Sequence, residues 1–140
     1  MHLRQFPDVP RAWEDKKLDK KWQRIREIRR VVTGAIEVER ASKKIGSSLQ
    51  AAVKISLTQS DTKLFENLDV AEICITSGAE LTTDAIPADA FSLDDVSNVA
   101  AQVIAAPGNK CERCWKVLQE VGAARQAEHL CNRCSEFMNL

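Results

Sequence analysis

The sequence predicts an α+β chain in three parts: a long amino-terminal helix, a small three-stranded sheet with one short helix, and a carboxy-terminal unit built on four cysteines. Three observations predict it. Apolar residues recur at steps of three and four from Leu18 to Ile36. The period falls to two at Val53, Ile55 and Leu57. Four of the five cysteines stand in two matched pairs near the end, as C-x2-C-x16-C-x2-C. The expected divisions are 1–46, 47–107 and 108–140. At 140 residues the chain can bury one modest core plus a small metal-stapled unit.

Met1 to Arg11 holds Pro7 and Pro10 and reads as an extended lead-in. Leu18, Trp22, Ile25, Ile28, Val32, Ala35 and Ile36 then share one stripe. The helix is expected from Trp13 or Glu14 to about Ser42, stopped by Gly46 and the serines after it. Its stripe is too wide for the short remainder to cover, so it reads as one member of a larger helical bundle. Residues 51–57 read as a strand, Asp61 to Leu68 as a short helix capped by Ser60 or Asp61, and Val70 to Thr76 as a buried strand. Cys74 lies in that strand as a packing residue. Ser77 to Ser97 is acidic and reads as a long loop. Val99 to Ala106 is the third strand, and Pro107-Gly108 leads into the cysteine unit.

In that unit, Cys111 and Cys114, then Cys131 and Cys134, each place two thiolates on a tight turn. Two such turns can present four sulfurs to one tetrahedral ion, which makes one structural zinc the expected cofactor. With all four ligands from protein, no position is left for water or substrate, which argues against a catalytic metal. His129 could replace a ligand, but it is expected exposed or bonded to a sulfur; His2 has no assigned role.

Net charge is zero, yet residues 1–45 carry 13 Lys+Arg against 7 Asp+Glu, residues 46–107 carry 2 against 9, and residues 108–140 carry 5 against 4. A basic first third suits either a phosphate-rich partner or a solvated helix surface. No phosphate-binding loop, nucleophile elbow or placed carboxylate pair occurs, so no catalytic site is expected in this chain. No run is long enough to span a membrane, and the lack of signal or anchor points to the cytosol.

Side chains between paired cysteines must point outward, because the backbone amides of such turns face the sulfurs. Arg113 and Arg133 occupy those positions, with Lys110, Trp115 and Lys116 flanking the first turn. These five are the candidate RNA-binding residues: the cations for phosphates or base edges, Trp115 for stacking on an unpaired base. The competing arrangement, and the expected one for Trp115, is packing beneath the turn as its small core.

Lys110-Cys111-Glu112-Arg113-Cys114-Trp115, Val121-Gly122 and Leu130-Cys131-Asn132-Arg133-Cys134 are similar to the terminal zinc finger of bacterial isoleucyl-tRNA synthetases. Trp22, Ile28-Arg29, Val32, Ile36-Glu37, Arg40, Lys44-Ile45-Gly46 and Ser48-Leu49 resemble the last helix of that family's anticodon-binding bundle and the turn after it. The resemblance implies a zinc-bearing, tRNA-binding portion of an enzyme that attaches isoleucine to its tRNA using ATP. The partners it implies are the isoleucine tRNA, at its anticodon end, and the synthetase's other domains. The family's H-I-G-H and K-M-S-K-S signatures do not occur here. Gln50 and the stretch 77–97 depart from the family pattern. Two other readings stay open: a DNA-binding finger like that of formamidopyrimidine-DNA glycosylases, and a zinc-stapled protein-interaction module.

Overall fold

A computed structural model describes residues 8–122 and 128–138, so His2 and the first part of the lead-in lie outside the described residues. After a short 3-10 turn at Arg11–Trp13, helix α1 spans Lys16–Ala41. Asp15 starts it by accepting hydrogen bonds from the Lys17 and Leu18 N–H groups, both at 2.9 Å. It ends before Gly46: Lys43 takes the left-handed conformation (φ 59°), and the N–H groups of Lys43 and Lys44 return to the carbonyls of Arg40 and Glu39. That closure is a Schellman motif with lysine in the position glycine favours.

Strand β1 (Ala51–Ser56) lies at the centre of a three-stranded sheet, between β2 (Gly78–Thr82), parallel to it, and β3 (Ala100–Ala105), antiparallel. Val53 pairs with Ala79 and Val103, and Ile55 with Leu81 and Ala101. These two rungs join one core with Ile25, Ile28, Val31, Val32, Ala35 and Ile36 of α1. The sheet covers the middle of the helical stripe, from Ile25 to Ile36, while Leu18 at its start stays 48% exposed. Gly34 permits the close approach of Phe91, since a Cβ there would lie 2.6 Å from the ring.

The crossover from β1 to β2 differs from its expected form. The short helix is α2, Gln59–Thr62, capped by Thr58 rather than Ser60 or Asp61, and it passes into a 3-10 turn at Lys63–Phe65. Residues expected as a strand form helix α3, Val70–Cys74. Asp69 caps α3 by accepting the Glu72 N–H at 3.0 Å, and Ile75 ends it in the left-handed conformation. A run of five apolar-rich residues fits either period, and the cap decided between them. A parallel partner for β1 needs such a helical crossover, which is why β2 forms within the stretch expected to be loop. Further along that stretch, Phe91 exchanges backbone hydrogen bonds with Ala101 at 2.8 and 2.9 Å, and Val96 is buried in the core.

The acidic middle also answers part of the basic helix. Arg24 donates to both carboxylate oxygens of Asp61, at 3.0 and 2.8 Å, and Arg30 reaches Asp95. Arg24 holds the Asp61 carboxyl below the usual carboxylate range against the opposing effect of burial. Among the described residues, Lys16, Lys17, Lys20 and Lys21 have no carboxylate partner. No helix among the described residues is long and apolar enough to cross a membrane.

Candidate metal centre and nucleic-acid face

Past Pro107 the chain enters a second unit with its own small cluster: Cys111, Val121, Cys131 and Cys134, with Cys114, Leu118 and Leu130 against it. Strands β4 (Asn109–Lys110) and β5 (Val117–Leu118) form an antiparallel hairpin. The first cysteine pair sits on the turn between them. Gly108 makes the entry possible, with φ 113° and the Leu118 carbonyl so close that a Cβ would fall 2.3 Å from it. The second pair lies at Cys131 and within helix α4, Asn132–Met138. The two halves are joined by the Glu112 N–H donating to the His129 carbonyl at 3.0 Å, and the Glu120 carboxylate accepts the Asn132 N–H at 2.9 Å.

All four Sγ atoms lie within 4.8 Å of one another. A tetrahedral site with Zn–S near 2.3 Å needs sulfurs about 3.8 Å apart. Cys114 and Cys131 Sγ are 3.7 Å apart. Backbone donors already face the sulfurs, as the Cys131 N–H faces Cys111 Sγ at 3.4 Å. Burial opposes the Cys111 thiolate, but the N–H groups of Cys114, Cys131 and Arg113 outweigh it and bring the thiol down to about 6. Burial and the neighbouring sulfurs push Cys131 up to about 12. Four crowded sulfurs cannot all ionise without a cation, which is the chemistry a divalent ion supplies. The donor set fits one structural zinc, with Cys111, Cys114, Cys131 and Cys134 as its ligands. His129 is exposed and outside that set. Cys74 is buried in the main core, as packing requires, and burial pushes its thiol up to about 11.

The five cations and rings around the first turn divide into two groups. Trp115 is 60% exposed with φ 67°, so it is not the core of the turn; Leu118, Val121 and Leu130 fill that space instead. The Lys110 ammonium lies 5.3 Å from its ring centre. Arg113 donates to Cys134 Sγ at 3.7 Å and stacks 4.3 Å from the ring centre of Phe137, an exposed residue the sequence reading did not single out. Its position three residues after Cys134, on the same face of α4, is the signal that could have found it. Lys116 and Arg133 instead meet Glu72 of α3, at 2.7 and 2.9 Å. Beside that contact, Ser77 donates from Oγ to the Leu49 carbonyl at 2.5 Å and accepts the Val117 N–H at 2.7 Å. These bonds form the joint between the cysteine unit and the sheet.

Comparison with known proteins agrees with this geometry. Residues 108–136 match the family described as a zinc finger found in FPG and IleRS. The chain is 47% identical over 124 residues to an isoleucine–tRNA ligase of Bartonella henselae and 45% identical over 127 residues to that of Agrobacterium fabrum. It is 48% identical over 124 residues to that of Brucella abortus. These matches cover 88%, 90% and 88% of this chain. The chain spans 13% of the length of each of these curated relatives. From its first helix to its four-cysteine finger, the chain is thus similar to the carboxy-terminal region of bacterial isoleucyl-tRNA synthetases.

Proposed function

We propose that this chain serves as the zinc-stapled, tRNA-binding end of an isoleucyl-tRNA synthetase, contacting the anticodon end of isoleucine tRNA while other domains attach isoleucine using ATP. The observation that carries the reading is the exposed face around the first cysteine turn. There Trp115 and Phe137 present open rings beside Lys110 and Arg113, the combination that stacks bases and neutralises phosphates. Zinc fixes that face without entering any chemistry. Arg133 contributes at its edge, with Lys116 beside it held mostly in the joint, and a cytoplasmic location follows from the same role. A DNA-binding finger of the glycosylase kind would need a helix–turn–helix before it, whereas β3 stands there.

The test is binding of the zinc-loaded chain to isoleucine tRNA, a non-cognate tRNA and duplex DNA at one moderate salt concentration, repeated after zinc removal. Zinc-dependent preference for the isoleucine tRNA supports the reading. Equal and feeble binding to all three overturns it in favour of a finger that only staples the fold.

A further inference from the structure

We propose that Glu72 is a specificity-determining residue of the finger's RNA-binding face, occupying the cations Lys116 and Arg133 so that generic polyanions cannot use them. The inference rests on the tRNA-binding reading and adds a repulsive element to it. One oxygen, Glu72 Oε1, accepts hydrogen bonds from both Lys116 Nζ (2.7 Å) and Arg133 Nη1 (2.9 Å). Among the described residues, neither cation has another carboxylate partner. The carboxylate is not on a free loop: Glu72 stands in the first turn of α3, and its own N–H is bound by the Asp69 cap.

The two cations differ in access. The Lys116 side chain is only 14% exposed and is committed to the joint, while Arg133 is 65% exposed. The four cysteine sulfurs next to Arg133 would carry a net negative charge once they held zinc, which adds to the pull of Glu72 on the guanidinium. An exposed ion pair is worth about 0–1 kcal/mol, so a phosphate can take Arg133 at small cost if it approaches from the side away from Glu72. A phosphate arriving in any other register meets the carboxylate. Only one of the guanidinium's five N–H donors is bound to Glu72, so room for the correct approach exists. Among the described residues, Lys110 and Arg113, beside the open rings, have no carboxylate partner. The face is therefore attractive at the rings and guarded at the joint, which discriminates by penalising wrong registers.

The experiment uses the zinc-loaded chain with Glu72→Gln, Glu72→Asp and a control, Glu80→Gln, which removes the same charge from the exposed edge strand β2. Affinity for duplex DNA, a non-cognate tRNA and isoleucine tRNA is measured across a salt series. Zinc content and amide NMR dispersion are checked for each variant. Glu72→Gln is expected to tighten duplex DNA and non-cognate tRNA by about 3- to 10-fold near 0.1 M salt and to steepen the salt slope by about one. The isoleucine tRNA gains less, so the preference falls. Glu72→Asp keeps the charge but shortens its reach, so it shows a smaller gain and reads the same effect should the glutamine variant fail to fold. Glu80→Gln changes little. If folded Glu72 variants match Glu80→Gln, or bind duplex DNA more weakly than the parent, Glu72 is only a latch and the proposal is overturned. A gain on duplex DNA by Glu72→Gln, in a chain whose parent shows no preference for isoleucine tRNA, leaves the screening role standing and removes the tRNA reading instead.

Discussion

Replacing Cys134 by serine should unfold the cysteine unit and leave the sheet unit folded. Apart from cysteines, the unit's core has, among the described residues, one buried side chain, Val121, with Leu118 and Leu130 half-buried. Three such side chains contribute about 5 kcal/mol. A structural zinc in a four-ligand site supplies about 10–16 kcal/mol, so most of the unit's folding energy goes with the metal. What the sheet unit loses is limited by the joint. One backbone-to-Ser77 hydrogen bond is worth about 1 kcal/mol. The two ion pairs on Glu72 are each worth about 0.2–1 kcal/mol. The sheet unit should therefore lose about 2 kcal/mol, or about 10 °C in Tm for a domain of this size. Amide NMR of Cys134→Ser reads both units at once. Residues 109–122 and 128–138 should collapse to random-coil shifts, while Val53, Ile55 and Ile28 keep native dispersion. Native dispersion in the tail without zinc would refute the reasoning. So would loss of the sheet signals, which would mean that the two clusters form one cooperative core.

Other outcomes follow from single contacts. Asp61, held below its ordinary range by Arg24, contributes stability that is present above the unfolded carboxylate pKa near 4 and is lost as pH falls through its lower folded value. Asp61→Asn should accordingly cost about 2 kcal/mol at pH 7 and flatten the acid limb of a urea-stability profile below pH 4; an unchanged acid limb would assign that limb to other carboxylates. Lys43→Gly should raise stability by about 1 kcal/mol in chemical denaturation, because lysine holds a left-handed φ there and, among the described residues, its ammonium has no carboxylate partner. Gly108→Ala should weaken zinc retention against a chelator at least about tenfold, since its Cβ would strike the Leu118 backbone and push the hairpin from the first cysteine pair; retention equal to the parent would show that the hairpin yields without moving the sulfurs.

The parts of the fold legible in the sequence are those whose signal is local and repeated. The α1 stripe repeats over several turns, β1 alternates cleanly, and two C-x2-C pairs name their own partners. α3 was misread because five residues between Asp69 and Ile75 carry less than two turns of period; the Asp69–Glu72 spacing was the better guide. β2 was missed because an edge strand with only Ala79 and Leu81 facing inward depends on a partner a crossover away. Trp115 looked like core material, yet the turn after Cys114 demands a left-handed residue and turns the ring outward. Glu72 could not be connected to Lys116 and Arg133 from sequence, because 44 and 61 residues separate them and no pattern marks the pairing.

The order of the two cores along the chain has a consequence for biosynthesis. Every residue of the main cluster, from Trp22 to Val103, precedes the first zinc-binding cysteine, Cys111. The residues of the sheet therefore leave the ribosome ahead of every metal ligand. The corner that carries Glu72 and Ser77 is then already outside when the four thiols emerge. Metal capture becomes the last step, and it occurs against a finished surface that sets the orientation of the finger. Cells short of zinc would accumulate chains with a sound sheet and a loose, thiol-bearing tail.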